Sequence, residues 1–284
     1  MRRARTGQQA VWHVFGIALA ALYLLPMGYV VLAALTPDGQ EIGHWPSRLA
    51  IENVAAGLTS APFALFAVNS VLVAVVATVA QVVVSAAAGY ALAKLPLPGG
   101  NLFLLLPIAL IVVPPEIVMV PLFLMMARFP LAGGNDLLGQ GGQGMIDTLA
   151  GLMVPHLVSA LAIFLMRQFY RGLPDELGDA ARVDGASELT IFVRVYTPLV
   201  LPAVAVVAVF AFQSAWNDFL WPLVMTRSPE RQTLQLGLTG FFQENSTQWN
   251  RLMAVVLTIS IPVVALFLYV QRFFRSDVMS GALK

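Results

Sequence analysis

Six stretches of this chain carry no Asp, Glu, Lys or Arg, and each is long enough to cross a bilayer. They are Thr6–Pro37, Asn53–Ala93, Leu95–Pro115, Thr148–Met166, Val195–Asn217 and Leu252–Val270. A hydrocarbon core about 30 Å thick needs about 20 apolar helical residues. A soluble chain of 284 residues must cover its core with charge, and soluble domains average about 25% charged residues. Here only 11% are charged, 58% are hydrophobic and the mean hydropathy is +0.80. Lipid is therefore the solvent that fits. The expected transmembrane helices lie near 11–35, 66–93, 101–127, 146–169, 195–215 and 252–273. The first reads as a span rather than a cleaved signal peptide, because its apolar run is too long and no small-residue cleavage site is clear.

Basic residues orient such a chain, since Lys and Arg concentrate in cytoplasmic segments. With the N-terminus in the cytoplasm, Arg2, Arg3, Arg5, Lys94, Arg167, Arg171, Arg182, Arg194, Arg272, Arg275 and Lys284 fall inside. Only Arg48, Arg128, Arg227, Arg231 and Arg251 fall outside. Six spans then place both termini in the cytoplasm. The expected layout is a tail, first helix and outer loop over 1–65, and a core of five helices over 66–274. The core contains a cytoplasmic loop at 171–194, and a cytoplasmic tail follows at 275–284. There is no cysteine, and His13, His44 and His156 are scattered without metal-ligand spacing. No metal site is expected.

Two outer loops stand out. One holds Gly133, Gly134, Gly139, Gly141, Gly142 and Gly144, too many for a stable helix. It reads as a flexible surface loop, with a contact surface for an external partner as the second reading. The other, 225–250, is long for a plain connection. Gln243, Glu244 and Asn245 near its tip are expected to meet an external protein.

The most charged stretch is the cytoplasmic loop. Pro174 suits the first position of a helix, and Asp175 and Glu176 favour the positive end of its dipole. Asp179 and Arg182 share a face and can pair. Gly185 can end the helix in a left-handed cap, with Asp184 beside it as an acceptor for backbone N–H groups. Ser187 can cap a second helix running through Phe192 into the fifth span. Ala180 and Ala181 leave a small surface that another protein can approach.

The run Leu177-Gly178-Asp179-Ala180-Ala181-Arg182-Val183-Asp184-Gly185-Ala186, followed by Phe192, Pro198 and Pro202, resembles the EAA loop of ABC importer permeases. Pro62-Phe63, Asn69-Ser70, Ala88–Ala93, Pro114 with Glu116, Pro121-Leu122, Trp216–Phe219 and Ser280–Lys284 are similar to positions in the carbohydrate, maltose-type branch. The resemblance covers nearly the whole chain. It implies an all-α integral membrane protein with the type I ABC importer permease fold, in its smaller, six-span form. It also implies that Pro174, Leu177, Asp179, Ala180, Ala181, Val183, Asp184, Gly185 and Ala186 form a coupling helix docked on an ATPase subunit. Asp179 stands where that family has Glu, one methylene shorter.

Ionisable and amide groups at membrane depth are the candidates for a substrate pathway. Glu116 either faces the pathway or is a neutral acid bonded to backbone freed by Pro114 and Pro115, and the second reading is favoured. His156 is either a bonded core histidine or a pathway residue. Gln213 and Asn217 share a helix face and serve either as helix glue or as sugar contacts. Trp216 and Trp221 read as interface anchors.

By resemblance, the chain is a non-catalytic permease subunit, half of a membrane pathway for a sugar or oligosaccharide. Its expected partners are a second permease, two ATPase subunits holding ATP and Mg, an extracytoplasmic binding protein and the lipid of a prokaryotic cell membrane. The chain lacks Gly-x-x-x-x-Gly-Lys-Ser/Thr, and its only lysines are Lys94 and Lys284. No cofactor or nucleic acid is expected on this chain. An ion-coupled carrier or channel is the alternative, disfavoured by a midplane nearly free of charge and by the lack of repeated halves. A membrane-embedded enzyme is disfavoured because no catalytic constellation converges.

Overall fold

A computed structural model describes residues 2–99, 102, 105, 109, 111–242 and 247–281, with side chains between residues 12 and 272. Every regular element among the described residues is helical, and β pairing is confined to two isolated bridges. Among the described residues three helices are long and apolar enough to cross a membrane: Trp12–Ala34 within α1 (Arg2–Ala34), α3 (Phe63–Lys94) and Trp249–Arg272 within α12 (Trp249–Gly281). Between them lie α2 (Glu52–Thr59), α4 (Pro115–Ala127), α5 (Leu149–Met153), α6 (Ala160–Arg171), α7 (Glu176–Val183), α8 (Glu188–Leu199), α9 (Leu201–Trp216), α10 (Leu220–Met225) and α11 (Leu234–Gly237).

The fourth and fifth expected spans are broken rather than continuous. Leu149–His156 meets Ala160–Arg171 at 43°, and Glu188–Leu199 meets Leu201–Trp216 at 84°. Prolines explain both breaks. Pro155 sits in a 3-10 turn, Val154–His156, and α6 restarts under its own cap, Ser159 accepting from the Ala162 N–H. Within α8 the stretch Ile191–Tyr196 widens to a π-helix, and Pro198 then offers no N–H to continue the ladder. Val200 leaves helical geometry, and α9 begins with Pro202 in its first turn. The second helix of the cytoplasmic loop therefore turns sharply before the span instead of running into it. Of the third expected span, the described helix is α4; most of 101–110 lies outside the described residues.

The chain divides into two compact units, Met1–Phe63 with Leu238–Ile261, and Ala64–Gly237 with Pro262–Lys284. In the first, Asn53 Nδ2 donates to the carbonyls of Ala34 and Thr36, each at 2.8 Å, satisfying acceptors that the end of α1 leaves free. Asp38 bonds Asn250 and Arg251, and these hold its carboxyl below the usual carboxylate range, Asn250 first. Gly57 lets α2 lie against Arg251 and Val255, where any Cβ would come within 2.7 Å of the Val255 side chain.

In the second unit α3 places small and polar residues inside and exposes a row of large aliphatics. Its buried face carries Asn69, Ser70, Ala74, Ala77, Gln81, Ser85 and Ala86 beside Phe66, Val73 and Tyr90, while Val68, Leu72, Val75, Val79 and Val83 point outward. Small residues inside let helices approach closely where lipid supplies no hydrophobic drive. At Gly89 a Cβ would lie 2.8 Å from the Arg167 N, so α3 and α6 cross nearly in contact.

The glycine-rich loop departs from expectation. It is a folded knot, not a flexible connection. Asn135 is buried, donates to the carbonyls of Ala127 (3.0 Å) and Phe129 (3.1 Å), and accepts from the Gly142 N–H at 2.8 Å. Gly144, at φ 61°, packs so tightly that a Cβ would meet the Met126 and Ala127 carbonyls. The glycines serve close backbone approach and positive φ.

Candidate functional site

The charged loop 171–194 is built by α7 and the start of α8. Pro174 precedes the helix rather than opening it, and the helix spans Glu176–Val183. At its far end Gly185 takes φ 81°, its N–H bonds the Arg182 carbonyl (3.0 Å), and the Ala186 N–H reaches back to the Ala181 carbonyl (3.0 Å). These paired bonds are a Schellman cap. Ser187 Oγ accepts from the Thr190 N–H at 3.3 Å. Ser187 thus caps the second helix as expected, whereas Asp184, expected to accept from backbone N–H groups, stands exposed at the helix end without such a bond among the described residues.

Leu177, Asp179, Ala180 and Val183 are exposed, Val183 at 87%. Ala181 is not part of that face. It turns inward with Ala186, half-buried against a cluster that includes Tyr90, Tyr170, Phe192 and Tyr196. The surface open to a partner is thus Leu177, Ala180 and Val183, with Ala181 as its support.

Beneath this surface a polar network fastens α7 to its neighbours. Lys94 Nζ, with a side chain only 4% exposed, donates to the Leu173 carbonyl at 2.6 Å and pairs with Asp175. The Lys94 hydrogen bond holds the Asp175 carboxyl below its ordinary range. Tyr196 Oη donates to the Pro174 carbonyl (3.1 Å) and accepts from the Gly178 N–H (3.2 Å). Gly178 is required there, since a Cβ would lie 2.9 Å from that oxygen. Arg182 binds Asp179 (2.8 Å) and Glu188 (2.6 Å), and Glu188 accepts from Tyr90 Oη at 2.9 Å. Arg182 first, then Tyr90, hold the Glu188 carboxyl low. The loop, the π-helical turn and the end of α3 form one hydrogen-bonded body.

A second feature lies within the same unit. A cavity of about 640 Å³ is lined by Gln81 of α3, Glu116 at the start of α4, His156, Ser214 of α9, and Asp218 and Trp221 flanking the start of α10. His156 Nε2 is 2.9 Å from Asp218 Oδ2, and Asp218 Oδ1 accepts from the Trp221 N–H at 3.2 Å. Trp221 Nε1 donates to the Gly151 carbonyl, which holds its ring in place. Glu116 does not bond the backbone near its prolines. It is exposed to the cavity and has no hydrogen-bond partner among the described residues.

The structure thus joins Glu116 and His156, but not Gln213 and Asn217. Those two share the neighbouring face of α9, where Asn217 accepts from Gln235 at 3.3 Å, and neither lines the cavity. Gln243, Glu244 and Asn245 lie outside the described residues. Sequence reasoning missed Gln81, whose amide is hidden in a charge-free run, and Asp218, which reads as a post-span residue. It also missed Tyr90, Tyr196 and Glu188, since pairing across 98 positions leaves no local trace.

Residues 85–279 match the family described as binding-protein-dependent transport system inner membrane component. The chain is 32% identical over 273 residues to the arabinooligosaccharides transport system permease protein AraQ of Halalkalibacterium halodurans, covering 94% of this chain and 93% of that one. It is 33% identical over 283 residues to the sn-glycerol-3-phosphate transport system permease protein UgpE of Salmonella typhimurium, covering 95% of each. Its fold matches a chain in the structure of a bacterial ABC transporter involved in the import of the acidic polysaccharide alginate. The TM-score there is 0.77 at 23% identity, over 96% of this chain and 98% of that chain. With the family match spanning most of its length, this chain belongs to the inner-membrane components of binding-protein-dependent transport systems.

Proposed function

We propose that this chain is one of two permease subunits of an ABC-type importer for a sugar or oligosaccharide. In this reading it has six spans and cytoplasmic termini. Its loop 171–194 docks on ATPase subunits that carry ATP and Mg, and an external binding protein delivers the substrate. Family membership and relatives named for arabinooligosaccharide and sn-glycerol-3-phosphate transport support it. The observation that carries it is the loop itself. Leu177, Ala180 and Val183 are presented to solvent on a short capped helix whose base is bonded to α3 through Lys94 and Tyr90. A rigid helix with an apolar tip is what a neighbouring protein can push against without losing the displacement in loop flexing.

The test is purification of the tagged chain from its native host. The expected result is a co-purifying ATPase, a second permease and ATP-dependent uptake of a sugar in proteoliposomes. Flux driven by a proton or sodium gradient through this chain alone would overturn the reading in favour of an ion-coupled carrier.

A further inference from the structure

We infer that the cavity of the second unit binds an uncharged, hydroxyl-rich ligand, a neutral glycan segment, and that Gln81, Glu116 and Asp218 hold it. The inference rests on the reading of this chain as a sugar permease and narrows the substrate class.

Gln81 is the first observation. It is only 7% exposed, it lines the cavity, and its side-chain amide has no partner among the described residues. A carboxamide offers an acceptor and two donors, and here they open onto the cavity rather than onto a protein partner. A hydroxyl, which both donates and accepts, answers it. Glu116 and Ser214 line the same space without partners among the described residues, and Trp221 adds an aromatic wall. The volume, about 640 Å³, lies within the range of about 300–1,000 Å³ for small-molecule sites.

Charge is the second observation. Among the described residues the lining holds two carboxylates, Glu116 and Asp218, one histidine, His156, and no Lys or Arg. Helix starts can also attract anions. First-turn residues of α4 and α6 do line the cavity, but Ser159 caps α6, Asp218 accepts from the Trp221 N–H at α10, and at α4, which no side chain caps, the Glu116 carboxylate stands in the first turn and opposes an anion. A phosphate or uronate would meet the Glu116 carboxylate, and the one histidine of the lining, His156, is already bonded to Asp218. Neutral hydroxyls instead find acceptors in Glu116 and Asp218 and both kinds of partner in Gln81.

The test uses the complete importer, with its binding protein and ATPase subunits, in proteoliposomes. Radiolabelled arabinotriose, maltotriose, raffinose, sn-glycerol 3-phosphate and trigalacturonate are offered in turn. Uptake of one or more neutral oligosaccharides, with no uptake of either anion, is expected. Gln81→Leu and Glu116→Gln should each raise the KM for that uptake by tenfold or more in complexes that still co-purify intact. Glu116 is exposed, so its variant tests the site even if Gln81→Leu fails to assemble. ATP-dependent uptake of an anionic probe, or an unchanged KM in assembled Glu116→Gln, would overturn this inference while leaving the permease reading standing. ATP-independent uptake, or the lack of a co-purifying ATPase, would overturn the permease reading and this inference with it.

Discussion

At single residues, the contrast between two glycines in the charged loop is informative. Gly185 has φ 81° and open space around it, so a side chain there costs only backbone strain, about 1–2 kcal/mol. Gly185→Val adds β-branching at positive φ. We expect it to leave the protein in the membrane but to lower substrate-stimulated ATPase and transport together. Transport lost with stimulation intact would place the lesion elsewhere. Gly178→Ala acts by contact instead, pushing Tyr196 Oη off the Pro174 carbonyl, and Tyr196→Phe should reproduce its defect because both remove the same bond. The Glu188 carboxyl, bonded by Arg182 and Tyr90, titrates below its ordinary value of 4.5. Its folded pKa is lowered, so its contribution is complete above about pH 4.5 and is lost as pH falls through the depressed value. Protection over 174–190, taken relative to each amide's intrinsic exchange rate, should hold down to about pH 4.5 and be lost only in stronger acid.

At the scale of elements, the glycine-rich loop shows how composition misleads. Glycine abundance predicts mobility, yet here it permits interlocked backbone. In the folded loop a Gly144→Ala Cβ would lie 2.2 Å from the Met126 carbonyl oxygen, at a positive φ besides. We expect a loss of about 1–3 kcal/mol locally, read as faster protease nicking between 131 and 143. Resistance equal to that of the parent would mean the loop is not held by these contacts. The bent α8–α9 pair is a second case. Pro198 and Pro202 are visible in the sequence, but the 84° bend depends on where the π-helix places the missing N–H. Lys94 ties the connection between α6 and α7 to α3. Lys94→Met keeps the buried stem and removes the bonds to Leu173 and Asp175. It should weaken the link between ATP hydrolysis and transport, seen as a falling ratio of sugar moved to ATP hydrolysed.

At the scale of the molecule, the outward faces of α1 and α3 are covered with Val, Leu, Tyr and Trp that water does not solvate favourably. Lipid and a partner permease are the occupants our reading supplies. Expressed without its partners, the chain should therefore be recovered only in detergent, and should be degraded faster in cells than when co-expressed with the second permease. Equal half-lives would argue that the chain needs no such partner.

Much was legible in the amino-acid order, and for a physical reason. Exclusion of charge from lipid is a composition-level constraint, so the helical, membrane-embedded class follows from runs without Asp, Glu, Lys or Arg. Caps are local, so Gly185 and Ser187 could be placed from their neighbours alone. What depends on distant pairing could not. The inward turn of Ala181, the Tyr90–Glu188 bond, the meeting of His156 with Asp218, and the isolation of Gln81 arise only when helices far apart in sequence pack against one another. That packing, through close crossings such as Gly89 on Arg167, decided which polar groups face the cavity and which are spent on holding the fold.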